Sequence, residues 1–293
     1  MKKAKRILVT GASGMLGSAV KKVFKDHFLI LTDINELDVR NVHQVMSYAH
    51  SNLDLILHLA AETDLIKSQF NPADAYLTNH TGTQNMVELA RILDIPLLYI
   101  GTAGIFDGRK KVYSETDEPN PLHHYGRSKY FGEIAVRSYP KHYIVRSGWG
   151  MGGGPKIDKK FINKVFKQIK QGQKTLYGIK DIYGNPTYTL DLAKTIRKVV
   201  ESRAEFGTYH SSGKGVATRF DVMKEFINFL GLSKNIQIIP MTFKEYAKLF
   251  PLQCPPTNSE VLSTAKIESL GLSQMRDWQS ALFDYSKEFK KLM

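Results

Sequence analysis

The chain has 293 residues, 42% of them hydrophobic and 24% charged, with a formal net charge of +13, a balance that suits a soluble globular protein with a sizeable core. No apolar run approaches the roughly 18–20 residues that cross a bilayer, and no signal-peptide apolar region follows the basic residues 2–6. The single Cys254 excludes an intrachain disulfide or a thiolate metal cluster. A cytoplasmic protein with no membrane partner is expected. Lysines gather at 2–6, 156–174 and 287–291. Those of 161–170 alternate with apolar residues at helical spacing, as a solvated helix face does. No nucleic-acid module accompanies them, so the charge is read as solubility and attraction for an anionic small molecule.

In chain order, Arg6-Ile7-Leu8-Val9-Thr10 is an apolar β-branched run that leads into Gly11, Gly14 and Gly17 and then into amphipathic Ala19, Val20, Val23 and Phe24. A strand, a glycine turn and a helix in that order let backbone approach a pyrophosphate, which meets free N–H groups at the helix N-terminus. The G-x-x-G-x-x-G spacing is one residue off the general dinucleotide fingerprint, so its meaning depends on the rest of the chain. The next apolar run, 27–33, closes on Asp33 about twenty residues after Gly11, where a carboxylate that binds the ribose 2′-hydroxyl is expected. Residues 34–37 offer no cation for a 2′-phosphate, which favours NADH over NADPH, although Arg40 is near. Next come a helix at 42–51, a buried strand at 53–61 ending on small Ala60 and Ala61, a helix from Asn71-Pro72 to Leu93 and a strand at 97–102 ending on Thr102. This alternation predicts an α/β fold, a Rossmann-like doubly wound parallel sheet, with ligands at the C-terminal strand ends.

A loop at 106–121 precedes a helix carrying Tyr125 and Lys129 on one face. His123 and His124 are read as polar loop residues, and no metal site is assigned. After a strand at 142–146 come Trp149 and a glycine cluster, where the alternation loosens. Helices are expected at 159–171, 190–201, 219–230, 243–250 and 278–292, a turn at 184–189, and a strand at 207–210 that is a candidate to rejoin the main sheet. The expected division is a cofactor-binding domain at 1–149 and a smaller, mainly helical substrate-binding portion at 150–293. Tyr-x-x-x-Lys after a strand-end threonine meets a specific chemical need. A lysine one turn away stabilises a phenolate and draws the phenol toward working pH. Tyr125 then gives a proton to a carbonyl oxygen held by Thr102, while a nicotinamide gives its carbon a hydride.

Taken together, these residues resemble the extended short-chain dehydrogenase/reductases, and within them the dTDP-4-dehydrorhamnose reductase family. The resemblance runs almost end to end: 11–17, 36–39, 60–64, 79–85, 106–108, 118–121 with 125–129, 146–149, 184–189 and Asn258-Ser259. It implies Thr102, Tyr125 and Lys129 as catalytic residues. It implies a cofactor seat formed by Gly11, Ser13, Gly14, Met15, Leu16, Gly17 and Asp33, with Asp38 and Val39 at the adenine and Ala60, Ala61 and Glu62 at the cofactor's middle. Tyr125 and Lys129 also touch the cofactor, and Thr102, Ala103 and Trp149 face the substrate. The implied activity is NADH- or NADPH-dependent reduction of the C4 ketone of a nucleotide-linked 6-deoxyhexose, with the substrate diphosphate drawn to lysines such as Lys156, Lys159 or Lys160. A homodimer is left open. The departures lie on the substrate side. Gly101-Thr102-Ala103-Gly104 replaces Ser-Thr-Asp-Tyr, Ile66 and Gln69 replace two acids, and Pro255 replaces an arginine. Ala103 and Gly104 disfavour a dehydratase. The alternatives are another sugar-nucleotide epimerase or reductase, or a non-catalytic dinucleotide-binding regulatory subunit.

Overall fold

The computed structural model describes residues 4–251 and 257–293; Cys254 and Pro255 lie outside the described residues. Strands β1 (Arg6–Thr10), β2 (Phe28–Thr32), β3 (Leu55–His58), β4 (Leu97–Thr102) and β5 (His142–Ser147) form one parallel sheet with a sixth strand, Gly207–His210. The order across the sheet is β2-β1-β3-β4-β5 and then Gly207–His210 at the edge beside β5. Strands buried on both faces need continuous apolar runs, and Ile7 to Val9 and Leu55 to Leu57 supply them, all at or near zero exposure. One face packs against the first helix, α1 (Met15–Val23), and the helix Thr189–Glu201, through Ala19, Val20, Leu192 and Ile196. The other packs against the helices Gly82–Leu93 and His124–Arg137, through Met86, Leu89 and Val136. A second apolar cluster joins the helices Phe161–Lys170, Arg219–Phe229 and Trp278–Lys290 around Phe166, Phe226 and Phe289. No helix among the described residues is long and apolar enough to cross a membrane.

The parallel sheet and its order of elements follow the sequence pattern, while the details depart from it, four of them as follows. The helix expected at 42–51 is only Val42–Met46, started by the Asn41 side chain, which accepts from the N–H groups of His43 and Gln44. The helix expected from Asn71 to Leu93 is interrupted by a π-turn, Leu77–Thr81, which places Asn79 inward, and ends on Asp94 at φ 54°. An unforeseen short helix, Leu65–Phe70, is capped by Asp64, a signal available in the sequence as an acid before Leu65 and Ile66. The turn expected at 184–189 is two short strands: Tyr183–Gly184, between Ala217–Thr218 and Ser259–Glu260, and Pro186–Tyr188, parallel to Trp149–Met151.

The catalytic-helix candidate, His124–Arg137, is fixed to the sheet by a buried ion pair. Glu133 and Arg146 are both 0% exposed. The Arg146 Nε donates to both Glu133 oxygens at 3.2 and 3.1 Å, and Nη2 donates to Oε2 at 2.9 Å. Arg146 Nη1 reaches on to His210 Nε2 at 3.2 Å, tying in the edge strand. Gly101 makes the room: a Cβ there would lie 2.5 Å from Glu133 Oε1 and 2.8 Å from Arg146 Cγ. Breaking one partner of such a pair leaves an uncompensated buried charge, at about 3–5 kcal/mol. Glu133→Ala is therefore expected to lower the urea unfolding free energy by about that amount. Adding Arg146→Met should recover most of the loss. A single mutant within ~1 kcal/mol of the parent would show that the pair does not anchor the helix.

Candidate active site

The glycine turn and α1 create one end of a cleft of about 580 Å³ at the C-terminal ends of the strands. Gly11 sits at φ +67°, and a Cβ on it would come within 2.7 Å of the Ala60 backbone nitrogen; one on Gly17 would collide with the Ala12 carbonyl at 2.5 Å. Gly14 caps α1 without a side-chain hydrogen bond and is exposed with Ser13, so the first N–H groups of the helix face the cleft free for an anion. Asp33 closes the turn: Oδ2 accepts from Ser13 N–H at 3.0 Å and Oδ1 from Ile34 N–H at 2.9 Å. Its carboxylate is thereby fixed beside the turn. Arg40 is committed to Asp38, donating through Nε at 2.8 Å and Nη2 at 2.7 Å, and the guanidinium holds that carboxyl below its usual range. Asp38 and Val39 also line the cleft. An uncapped helix end, a close-packed glycine loop and an acid at the second strand fit a nicotinamide dinucleotide.

Ala60, Ala61 and Glu62 cross the middle of the cleft and are held by a chain of hydrogen bonds with fixed polarity. Thr10 Oγ1 accepts from the N–H groups of Leu59 and Ala60, both at 3.2 Å, so its own proton goes to His58 Nδ1 at 2.8 Å. Thr83 Oγ1 donates to the Asn79 carbonyl at 2.8 Å and so accepts from His58 Nε2 at 3.1 Å. Burial holds His58 neutral, its pKa down to about 3. The Asn79 side chain then pins Glu62 through both its N–H and C=O, each at 2.9 Å, and donates to Ser128 Oγ at 2.9 Å. Ser128 Oγ in turn donates to the Tyr125 carbonyl at 2.9 Å. The loop under the cofactor seat and the helix bearing Tyr125 are thus one hydrogen-bonded unit.

Thr102, Tyr125 and Lys129 all line the same cleft. Thr102 Oγ1 accepts from Gly104 N–H at 3.1 Å, which leaves its proton free to be donated. Burial pushes the Tyr125 phenol up to about 12; the neighbouring Thr102 hydroxyl opposes the shift, while Glu260 and Glu62 add to it. Burial lowers Lys129 to about 7, with Glu133 opposing. The ammonium lies 4.0 Å from the centroid of Tyr99. Desolvation is the largest influence on both groups, and the ammonium rests on Tyr99.

The substrate side differs from expectation in three residues. Ala103 is not brought to the cleft; it is 1% exposed in the turn Ala103–Ile105 and packs with Phe106, Tyr113 and Leu262. Trp149 is 8% exposed and donates from Nε1 to Glu260 Oε2 at 2.7 Å. His123 is no loop filler: 4% exposed, it caps the helix His124–Arg137 by accepting from Gly126 N–H at 3.0 Å through Nδ1. Its Nε2 has no partner among the described residues. A Cβ on bare Gly104 would stand 3.5 Å from His123 Cε1, Thr102 Oγ1 and Tyr125 Cε1 alike. Sequence reasoning also missed Glu260 and Arg219. Of the lysines named for the diphosphate, Lys159 and Lys160 line the cleft, and Lys160 Nζ donates to the Thr63 carbonyl at 2.7 Å and hydroxyl at 3.0 Å. Lys156 is exposed and does not line the cleft.

Comparison with known proteins matches residues 5–291 to the family described as the RmlD substrate binding domain. A dTDP-4-dehydrorhamnose reductase of Mycolicibacterium smegmatis is 30% identical over 286 residues, covering 96% of this chain and 85% of that protein. The crystal structure of dTDP-4-dehydrorhamnose reductase from Yersinia enterocolitica superposes with a TM-score of 0.88 at 34% identity, over 97% of this chain and 99% of that one. That from Bacillus anthracis, in complex with NADP, gives 0.89 at 26% identity, over 98% and 100%.

The lowered Lys129 predicts a separation of stability from activity. A lysine whose folded pKa lies below its unfolded value of 10.5 destabilises the fold fully below pH 7, and the penalty fades as pH rises from 7 toward 10.5. Lys129→Met is expected to raise the melting temperature at pH 6, on the order of 1–3 kcal/mol of stability. The advantage should shrink steadily between pH 7 and 10, as thermal melts across pH would record. A constant advantage would mean that the lysine titrates alike in the folded and unfolded chain.

Proposed function

The chain belongs to the RmlD substrate binding domain family, and from that premise we propose that it is an NAD(P)H-dependent reductase of the C4 ketone of a dTDP-linked 6-deoxy-4-ketohexose, acting in the cytoplasm. One observation carries the reading: Thr102, Tyr125 and Lys129 meet in the cleft whose other end is the uncapped helix and Asp33. Residues 1–149 hold the dinucleotide in this reading, and 150–293 supply most of the sugar-nucleotide contacts. The bound nicotinamide supplies the hydride. Thr102, its oxygen already accepting from Gly104, donates toward the ketone oxygen and orients it. Tyr125, neutral throughout the physiological range because burial raises it to about 12, delivers its proton to that oxygen as negative charge develops there. Lys129, near its midpoint at neutral pH, is placed to balance the phenolate left behind.

Asp33 favours NADH over NADPH: a 2′-phosphate beside a carboxylate anchored by two N–H groups meets like charge, and Arg40 is already paired with Asp38. The presence of Thr102, Tyr125 and Lys129 together favours an enzyme over a binding subunit. A reductase consumes one NADH per product, whereas an epimerase regenerates its cofactor.

Tyr125→Phe is expected to lower ketone-dependent NADH oxidation by about 10²–10⁴-fold while leaving NADH affinity within about twofold of the parent. Undiminished turnover would remove Tyr125 from the chemistry. Asp33→Ser should shift the NADPH-to-NADH ratio of kcat/KM upward by roughly tenfold, about 1.4 kcal/mol. An unchanged ratio would place cofactor selection elsewhere.

A further inference from the structure

We infer that Arg219 receives the diphosphate of the sugar-nucleotide substrate, its guanidinium held ready against Trp149 and Phe161. This rests on the reductase reading for the identity of the anion, while the cation's own situation calls for an anion of some kind. Arg219 is the first residue of the helix Arg219–Phe229. Its guanidinium carbon lies 3.6 Å from the Trp149 ring centroid and 4.9 Å from that of Phe161. Two aromatic neighbours fix the plane of a guanidinium and leave its N–H edge to be satisfied by something else.

The acids nearby are already engaged. Asp221 is consumed by the capping box of its own helix: Oδ2 accepts from Thr218 N–H at 2.9 Å and from the Thr218 hydroxyl at 2.6 Å. Glu260 accepts from Trp149 Nε1 at 2.7 Å through Oε2 and from the Thr257 hydroxyl at 3.0 Å through Oε1. Among the described residues Arg219 has no carboxylate within ion-pair distance and no hydrogen-bond acceptor. Arg146, the other arginine withdrawn from water near the cleft, has its carboxylate in Glu133. Desolvation lowers Arg219 to about 10, with Glu260 opposing, a cost that an incoming anion relieves.

The position suits a substrate whose other end lies at Tyr125. Trp149 follows β5, whose Ser147 lines the cleft together with the adjoining Gly148. Gly148 and Gly150, on either side of Trp149, both line the cleft, which puts the cation stacked on Trp149 beside it. A second polar group awaits a partner on that side: the almost fully buried Nε2 of His123, two residues before Tyr125. A planar fork of donors matches phosphate oxygens in pairs, which a lysine cannot do.

The test is calorimetric titration of dTDP, UDP and thymidine into the full chain and into Arg219→Gln and Arg219→Lys, with NADH as a control for folding. The parent should bind a nucleoside diphosphate at least tenfold more tightly than thymidine. Arg219→Gln should lose at least tenfold for the diphosphate and little for thymidine, Arg219→Lys should fall between, and NADH affinity should be unchanged in all three. Diphosphate affinity within twofold of the parent in Arg219→Gln, or no diphosphate binding by the parent, overturns the inference. If dTDP binding depends on Arg219 but no 4-keto sugar nucleotide consumes NADH, the reductase reading fails and the assignment of Arg219 stands. If Arg219→Gln reduces the sugar nucleotide with unchanged KM, the assignment fails and the reductase reading stands.

Discussion

The site depends on a pair of charges that never meets water. Glu133 is four residues beyond Lys129 on one helix, and Arg146 lies on β5 opposite Gly101, the residue before Thr102. Their bidentate contact sets the distance and rotation of the helix relative to the strand end, and through His210 it also fixes the edge of the sheet. The absent side chain of Gly101 is part of the same arrangement. A buried ion pair contributes little net stability once desolvation is counted, but it penalises other arrangements heavily. What it secures here is register between the element carrying the hydroxyl of Thr102 and the element carrying Tyr125 and Lys129.

Around that frame the protein withdraws Tyr125 and Lys129 from water. Tyr125 and Lys129 are both displaced from their ordinary pKa values by burial, in directions that keep each neutral form accessible. The dinucleotide end has the opposite character, with N–H groups and carboxylates all satisfied or facing the open cleft. The two ends are joined by the hydrogen-bonded chain from Thr10 through His58, Thr83 and Asn79 to Ser128, on the helix bearing Tyr125.

Much of this is legible in the linear chain. Alternating apolar runs place the strands, and local spacing places Gly11, Gly14, Gly17, Asp33, Thr102, Tyr125 and Lys129 in one cleft. What local spacing does not carry is partnership over long separations. Nothing near Arg219 in sequence announces that it will lie on Trp149, and nothing near Glu260 announces its hydrogen bond from the same ring. His123 looks like filler in the sequence because its capping role needs a helix start at His124, one residue before the tyrosine of the Tyr-x-x-x-Lys pair. Ala103 looks like a lining residue because it directly follows the strand-end threonine, yet a tight turn after Thr102 sends it into the core. Short strands such as Pro186–Tyr188 are specified by the segments they pair with, not by their own composition.

The edge strand Gly207–His210 and the helix Thr189–Glu201 come late in the chain, yet they complete the sheet begun at Arg6 and cover the face beside α1. The residues before and after 150 are therefore interleaved, and cutting there would strip one face of the sheet bare. Such a protein cannot acquire a new specificity by exchanging its second half wholesale, as modular enzymes do. Diversification has to proceed residue by residue inside an unbroken scaffold.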